Sequence, residues 1–223
     1  MRNETAIAAG LICCSIIIGG IAIIKLQNSD SATPQQLTKL TTPPIRITDP
    51  TQGPEKAPVT IVVYADFACD SCGGLATELS NLRHESEIGN KFRVIWKDFP
   101  IHQQTLPKSF DLHIAARCAA TMGKFWEFHD AVFAHANQLI FGTDILSAVE
   151  QESGVSPSRI ADCMKSSAIT DLINQNMADG RALGITALPT YFINGNRNEG
   201  VLPYNQLRGI IRSEIATYDA SHP

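Results

Sequence analysis

The chain has 223 residues and a formal net charge of −4, a length that suits one domain with an insertion or two small domains. Its hydrophobic content of 44% is ordinary for a globular protein. The mild charge and the lack of a basic stripe in the sequence argue against a nucleic acid partner.

The N-terminal segment has the character of a membrane span. No residue between Thr5 and Ile24 is charged, and the run is about long enough to cross a bilayer as a helix. A cleavable signal peptide usually has a shorter apolar region followed closely by small residues, a pattern that is poor here. We therefore expect residues 1–25 to form an N-terminal transmembrane helix, with residues 6–24 in the membrane. A cleaved signal segment is the alternative.

The next segment, residues 26–45, is rich in Gln, Ser, Thr and Pro and predicts a linker. Residues 46–101 then show strand and helix patterns in alternation. A strand–helix–strand unit implies parallel pairing and a right-handed crossover. The predicted elements are an edge strand at Arg46–Thr48, a buried strand at Val59–Tyr64, a helix at Leu75–Arg83 and a strand at Phe92–Trp96.

Residues 102–168 have helical patterns throughout, and residues 169–223 return to mixed elements. The order of all elements predicts an α/β thioredoxin-like core with an inserted all-helical subdomain. The helices of the insertion are predicted at Phe110–Met122, Phe125–Ala136, Ile145–Gly154 and Pro157–Ser166. The second half of the core is predicted as a helix at Ile169–Leu183, a hairpin of Thr190–Ile193 with Gly200–Leu202, and a helix at Tyr204–Tyr218.

The motif Cys69-Asp70-Ser71-Cys72 lies between an apolar strand and a helix, the layout of a thioredoxin-like redox site. The first sulfur is expected over the helix N-terminus, where free N–H groups and the helix dipole favour a thiolate. The thiolate attacks a disulfide, and the second cysteine closes onto the mixed disulfide.

Half of a zinc site and two inert core thiols are the alternatives for this motif. A structural zinc site usually needs a second Cys/His pair at short spacing. Cys118 and Cys163 stand alone, and His129 and His135 lie six residues apart on different helix faces. We therefore predict redox chemistry and no metal.

Several ordered motifs resemble the DsbA-like thiol–disulfide oxidoreductases, and together they span most of the chain after the linker. The matching stretches are Gly53 to Val59, Tyr64 to Cys72, Lys97-Asp98-Phe99-Pro100, Gly123 to Asp130 and Gly184 to Gly195. The resemblance implies exchange on protein substrates with cysteines, no cofactor, and a membrane redox partner that regenerates the site.

Carried over by position, the resemblance makes Cys69 the nucleophile, Cys72 the resolving cysteine and Pro189 a cis-proline facing them. Asp70 and Ser71 stand where relatives usually have a proline-led pair. A carboxylate at Asp70 disfavours a neighbouring thiolate by like-charge repulsion.

The residue before the cis-proline is Leu188, where relatives often have Thr or Val. We expect Leu188, with the Asp70-Ser71 pair, to border the substrate groove. This departure bears on the redox potential and on substrate release, not on the fold.

Three further sets of residues have two readings each. Cys118 and Cys163 form a structural disulfide or remain two buried thiols, and an extracytoplasmic setting favours the disulfide. Asp66 is a buried proton acceptor for Cys72 or a turn residue. His102 is more simply a surface or capping histidine than a site residue.

The sequence as a whole predicts a membrane-anchored, extracytoplasmic thiol–disulfide oxidoreductase that acts oxidatively through a Cys69 mixed disulfide. The catalytic domain would lie in the periplasm or outside the cell. A reductase or isomerase of the same fold is the nearest rival. A chaperone-like module that binds partners non-covalently is the other, and it would keep its activity without Cys69.

Overall fold

A mixed five-stranded sheet with helices on both faces forms the core of the described residues, which are 40–102, 107–140 and 144–223 of the computed structural model. The strands are β1 (Thr51–Gln52), β2 (Val59–Ala65), β3 (Phe92–Asp98), β4 (Thr190–Ile193) and β5 (Asn196–Glu199). The helices are α1 (Asp70–Arg83), α2 (Pro107–Ala120), α3 (Phe125–Ala134), α4 (Ala136–Ile140), α5 (Leu146–Ser153), α6 (Pro157–Cys163), α7 (Ser167–Ala182) and α8 (Tyr204–Ser221).

The sheet order is β1-β3-β2-β4-β5, with β2 at the centre. β2 is parallel to β3, whereas the pairs β1–β3, β2–β4 and β4–β5 are antiparallel. A continuous β-branched run suits this central place, because such a strand is buried on both faces. The predicted thioredoxin-like core with helices is confirmed.

The two faces of β2 are covered by different helices. Neighbouring residues of a strand point to opposite faces. Val63 lines a cavity with Leu75 of α1, whereas the ring of Tyr64 packs edge-on against Phe99, with centroids 6.0 Å apart. Phe99 in turn lies against Gly180 of α7. Helices α1 and α7 therefore cover opposite faces of the sheet.

Helices α2 to α6 lie between β3 and α7 in the chain and form the predicted helical insertion. α2 packs against α3, α6 and α7, and α3 packs against α5. Cys118 of α2 and Cys163 at the end of α6 form a disulfide with Cα atoms 5.7 Å apart, so the predicted pairing is present. The segment limits 46–101, 102–168 and 169–223 stay predictions.

The predicted edge strand at Arg46–Thr48 is wrong, because these residues form a turn. Asp49 Oδ2 accepts the backbone N–H of Arg46 at 2.7 Å, and the N–H of Asp49 donates to the Arg46 carbonyl at 3.0 Å. The edge strand is β1, five residues later than expected, and it pairs with Ile95 and Val94 of β3.

The predicted hairpin partner Gly200–Leu202 is also wrong. Asn194 and Gly195 both have positive φ, 46° and 87°, which is the conformation of a two-residue type I′ turn. Such a turn fixes the register, and Ile193 therefore pairs with Asn196 directly. The second strand of the hairpin is β5, four residues earlier than expected.

The predicted membrane segment 6–24 and most of the linker lie outside the described residues. Among the residues that are described, no helix is both long enough and apolar enough to span a bilayer.

Candidate functional site

The two cysteines of the motif lie at the start of α1, which begins at Asp70, five residues before the predicted start at Leu75. Cys69 is the N-cap residue, with extended backbone angles, and its Sγ accepts the N–H of Cys72 at 3.3 Å. An N-cap side chain satisfies one of the free N–H groups of the first turn. The helix end that favours an anion therefore points at the first sulfur.

Cys69 and Cys72 are joined as a disulfide, with Cα atoms 5.2 Å apart. Cys69 is 7% exposed and Cys72 is 2% exposed. The residue at the N-cap is thus the more exposed of the two, which agrees with its predicted role as the site of attack.

The chain segment around Pro189 lies beside the sulfurs. The Leu188–Pro189 bond is cis, as predicted. The hydroxyl of Ser71 donates to the Leu188 carbonyl at 3.2 Å, and its Oγ lies 3.3 Å from Cys69 Sγ. The structure thus brings together five of the predicted site residues, which are Cys69, Cys72, Ser71, Leu188 and Pro189.

Asp70, the sixth, is exposed in the first turn of α1 and borders an open groove of about 620 Å³. The groove runs between α1 and the α3–α4 corner. The two sides of the groove approach each other at Gly73 of α1 and Phe133 of α3, where a Cβ added to Gly73 would lie 3.1 Å from Cδ1 of Phe133. Asp70 and Asp130 are the charged residues on the groove wall.

Asp66 is fully buried below the turn that leads to Cys69. Its Oδ1 accepts the N–H of Ala68 at 2.9 Å and the hydroxyl of Ser109. Its Oδ2 accepts the N–H of His102 at 2.9 Å and lies 2.9 Å from Nδ1 of the same residue. Asp66 therefore has the predicted turn role. His102 contacts Asp66 and so helps to hold the turn that precedes Cys69.

A group of buried charged residues, here called the buried charge cluster, extends from Asp66 away from the sulfurs. Asp98 is its centre. Asp98 accepts from His113 Nδ1 at 2.8 Å, from Arg117 at 2.5 Å, from the Trp96 indole at 2.9 Å and from Asn176 at 3.2 Å. The cluster consists of Asp49, Asp66, Lys97, Asp98, His113 and Arg117, each at most 6% exposed.

His113 lies between two carboxylates, and its charge state follows from that position. Nε2 lies 3.6 Å from Asp66 Oδ1 and 3.4 Å from the Phe67 nitrogen. A neutral Nε2 would accept the Phe67 N–H, whereas a protonated Nε2 faces the Asp66 carboxylate. We assign the imidazolium, because the ring lies between the carboxylates of Asp66 and Asp98, which raise the pKa of His113.

Burial and partners act in opposite directions on the pKa values of this cluster. Burial alone would raise the pKa of Asp66, but hydrogen bonds with His113 and Ser109 and the charge of His113 lower it. For Asp98, the charge of Arg117 and the bond with His113 likewise outweigh burial and lower the pKa. The two carboxylates raise the pKa of His113 against the effect of its burial.

Sequence reasoning missed His113, Arg117 and the role of Lys97 and Asp98. One signal was available, because Lys97-Asp98 directly follows the apolar run Val94-Ile95-Trp96, and charges at such a place need partners. His113 and Arg117 are four residues apart on one helix face. No sequence pattern links these two pairs.

Residues 46–213 match a family model described as Thioredoxin, which is 168 of the 223 residues. The chain belongs to this thioredoxin family. Its fold is shared by alpha-DsbA1 of Wolbachia pipientis, with a TM-score of 0.69 and 18% identity, over 81% of this chain and 96% of that one. BdbD of Bacillus subtilis in its oxidised form has a TM-score of 0.66 at 17% identity, over 78% and 96%.

The predicted resemblance to the DsbA-like proteins is thus confirmed at the level of family and fold. This thioredoxin-family chain has the fold of the DsbA-type thiol–disulfide oxidoreductases, together with a Cys-x-x-Cys disulfide at the start of a helix.

Curated relatives are sodium–proton antiporters that contain a segment like this chain. NhaA 3 of Salinispora tropica is 31% identical over 157 residues, which are 70% of this chain and 23% of the antiporter. The chain spans between 23% and 31% of the length of such relatives. Antiport is therefore not transferred to this thioredoxin-family chain.

Proposed function

We propose that the protein is an extracytoplasmic thiol–disulfide oxidoreductase that oxidises cysteines of protein substrates. A substrate thiolate attacks Cys69 and the bond to Cys72 breaks, which gives a mixed disulfide. A second substrate thiolate then attacks the substrate sulfur of that mixed disulfide and releases Cys69 as a thiolate. The substrate loses two electrons and the cysteine pair gains them.

One observation carries this proposal: the Cys69–Cys72 disulfide lies at the N-cap of α1 and beside the Leu188–Pro189 segment. The helix end stabilises the leaving thiolate of Cys69. The cis-proline segment presents backbone groups next to the sulfurs, which an extended substrate can pair with by strand addition. Pro189 is therefore proposed as a substrate-positioning residue. Ser71 and Leu188 would border the substrate beside it, and Asp70 would border the substrate from the edge of the open groove.

Oxidation is the proposed direction because the fold is shared with proteins whose titles name them DsbA. A membrane redox partner would then reoxidise Cys69 and Cys72 after each turnover. The rival direction is reduction or isomerisation by the same cysteine pair.

The proposed location is outside the cytoplasm, with residues 6–24 as a membrane anchor. The structural Cys118–Cys163 disulfide supports an oxidising compartment, and one structure of the same fold is titled a periplasmic thioredoxin-like protein from Salmonella enterica. An alkaline carbonate wash should leave the chain in the membrane fraction, with its C-terminal part open to protease from outside. A mature protein that begins near Thr33 would instead reveal a cleaved signal.

The activity is tested with the full-length protein in detergent and a synthetic peptide that contains two cysteines. With the peptide supplied in its disulfide-bonded form, the Cys69 thiolate of the Cys72→Ser variant should attack the peptide disulfide, release one peptide sulfur as a thiolate and accumulate as a mixed disulfide, whereas the Cys69→Ser variant should not. Trapping through Cys72 would refute the assignment of the nucleophile. A Cys118→Ser/Cys163→Ser variant is the matched control, since it removes two cysteines and should leave the exchange intact.

The direction is tested by the reduction potential of the Cys69–Cys72 pair in a glutathione buffer. A value near the roughly −120 mV of DsbA supports oxidation, and one near the roughly −270 mV of thioredoxin supports reduction. Binding of unfolded protein that persists in the Cys69→Ser variant, without exchange, would support the chaperone-like module.

A further inference from the structure

A cavity of about 280 Å³ lies behind the active-site helix and reaches the resolving cysteine. Its walls come from α1, from β2 and β3, and from α3. Cys72 is on this wall and is 2% exposed to solvent. The cavity therefore offers a route for a proton that moves to or from its sulfur during exchange.

His129 of α3 lies on the same wall and is 4% exposed. Its Nδ1 is 2.7 Å from Oδ1 of Asp130, whereas its Nε2 makes no hydrogen bond with any described residue. Five aromatic rings hold the imidazole in place, with centroids 4.9 to 6.0 Å away. These rings are Phe67, Trp96, Phe125, Trp126 and Phe133.

The contacts of α3 place His129 beside the first turn of α1. Phe133 is one helical turn from His129, and their ring centroids are 4.9 Å apart. The ring of Phe133 lies against Gly73, the neighbour of Cys72. The Trp126 indole N–H is buried without a hydrogen-bond partner on the same wall. A water in the cavity therefore has polar partners, which a buried water needs.

The other charged or titratable groups on the cavity wall are less suited to exchange protons with Cys72. They are Arg83, His84 and Asp130. A guanidinium does not deprotonate in proteins, and the Asp130 side chain is 67% exposed and engaged with His129. His84 lies at the far end of α1, about 18 Å along the helix axis from Cys72 at 1.5 Å per residue.

We propose that His129 is the proton carrier for Cys72, acting through water in this cavity; the proposal rests on the proposed exchange function. When a substrate thiolate attacks Cys69, the electron pair of the S–S bond leaves on Cys72 Sγ. That thiolate takes the proton of the imidazolium Nε2 through water, and neutral imidazole remains. In the reverse step, neutral His129 accepts the proton of Cys72, whose thiolate then attacks Cys69 and expels the bound thiol group as a thiolate.

The test follows the reverse step with a small chemical disulfide, 2-hydroxyethyl disulfide, and reduced full-length protein between pH 5 and 9. Samples are quenched with an alkylating reagent, and mass spectrometry counts the Cys69 mixed disulfide. His129→Gln should slow its resolution at least about tenfold at neutral pH, given that positioned acid–base groups typically contribute about 10²-fold or more. The variant should also lose the histidine-dependent limb of the pH profile.

A control variant separates proton transfer from a structural role. His84→Gln makes the same chemical change on the same cavity and should leave the rate and the profile unchanged. A His129→Gln protein that folds and keeps the wild-type resolution rate and pH profile would overturn the proposal.

The small disulfide keeps the two proposals distinguishable. Failure of the wild-type protein to oxidise the two-cysteine peptide would refute the proposed function. The rates at which the wild type and His129→Gln resolve the mixed disulfide with the small disulfide would still test the role of His129. If the wild-type protein oxidised the peptide but His129→Gln kept the wild-type pH profile of mixed-disulfide resolution, the proposed function would stand. The proposal that His129 carries the proton would be refuted.

Discussion

Ser71 links two parts of the site that lie 117 residues apart in the sequence. Its single hydroxyl proton is donated to the Leu188 carbonyl, while Oγ lies 3.3 Å from Cys69 Sγ. When the cysteines are reduced, the same proton can turn to the Cys69 thiolate. A hydrogen bond to the charged form favours that form.

The Ser71→Ala variant should therefore have a less reactive Cys69. We expect alkylation of reduced Cys69 by iodoacetamide at pH 6 to slow about three- to tenfold, since a hydrogen bond to a charged group is worth roughly 1.5 kcal/mol. Ser80→Ala on the exposed face of the same helix is the control. Equal rates for both variants would show that the hydroxyl does not reach the thiolate.

Asp70→Asn should have the opposite effect on the same measurement. The exposed carboxylate in the first turn repels a thiolate at the N-cap, and its removal should speed alkylation of Cys69 several-fold at low salt. The difference should shrink at 1 M salt, where screening acts within about 3 Å. Glu78→Gln, two turns further along α1, is the control. A slower Asp70→Asn protein would contradict the repulsion.

At this scale, the sequence predicted the residues that belong to local motifs or to the family pattern. Cys69, Ser71, Leu188 and Pro189 were named in advance and do come together. For Asp66 the sequence predicts a proton acceptor for Cys72 or a turn residue, but it does not predict the bond with Ser109, which is 43 residues away. Long-range contacts between charged side chains leave no periodic signal in a single sequence, and the buried charge cluster was therefore not predictable.

At the scale of elements, helix packing depends on small residues as much as on apolar stripes. Gly180 of α7 faces the ring of Phe99, and a Cβ there would lie 2.7 Å from Cδ2. Gly209 of α8 has no atom within 4 Å of the same position. Alanine substitution at these two helical glycines is therefore expected to change the free energy of unfolding in opposite directions.

Gly180→Ala should lower the free energy of unfolding by about 1–3 kcal/mol, because overpacking moves Phe99 and the strand end before it. Gly209→Ala should raise it by up to about 1 kcal/mol, the helix propensity difference. Urea denaturation followed by circular dichroism measures both. A neutral Gly180→Ala substitution would mean that α7 shifts away from the sheet at no cost.

The disulfide between α2 and α6 closes a loop with a sequence separation of 45 residues. In the chain-entropy model such a loop contributes about 4 kcal/mol. A Cys118→Ala/Cys163→Ala protein should unfold at a correspondingly lower urea concentration, and its exchange rate at Cys69 should stay unchanged. The reduced wild-type protein is the control for lost packing, since it keeps both sulfur atoms. A double variant as stable as the oxidised wild type would refute this contribution.

Element types were predictable where hydrophobic periodicity was long, and boundaries failed where a few hydrogen bonds decide. The central strand and the helices around it follow from apolar patterns. The edge strand was misplaced because Asp49 closes a turn at Arg46, and the hairpin because Asn194 and Gly195 both take positive φ. Competing side-chain bonds and turn geometry act over two to four residues, below the length of any periodic signal.

At the scale of the whole molecule, the buried charge cluster joins parts that are distant in the chain. It connects the segment before β1, the turn before Cys69, the end of β3 and helix α2 of the insertion. Three carboxylates face three cations, so the cluster is neutral only when His113 is protonated. Removing one partner of a buried ion pair leaves an uncompensated charge, which typically costs 3–5 kcal/mol.

This cluster implies a stability that falls at both ends of the pH range. The pKa values of Asp66 and Asp98 are lowered from 3.8, so their contribution is present above about pH 4 and is lost as the pH falls through the folded values. The pKa of His113 is raised from 6.5. Its contribution is complete below pH 6.5 and is lost as the pH rises through the folded value.

His113→Gln should remove the alkaline part of this dependence. Between pH 6 and 9 the wild-type free energy of unfolding should decline, because the unfolded chain releases the His113 proton at lower pH than the folded chain does. The variant leaves Asp66 without its counter-charge and should be about 3 kcal/mol less stable at pH 6, with a flatter profile above pH 7. His222→Gln changes an exposed histidine near the C-terminus and should follow the wild-type curve. Urea denaturation at one-unit pH steps measures the free energy of unfolding of each protein. If the wild type and His113→Gln gave parallel curves of this free energy against pH, the folded protein would hold His113 neutral, with Nε2 accepting the Phe67 N–H. The buried charge cluster would then carry a net negative charge.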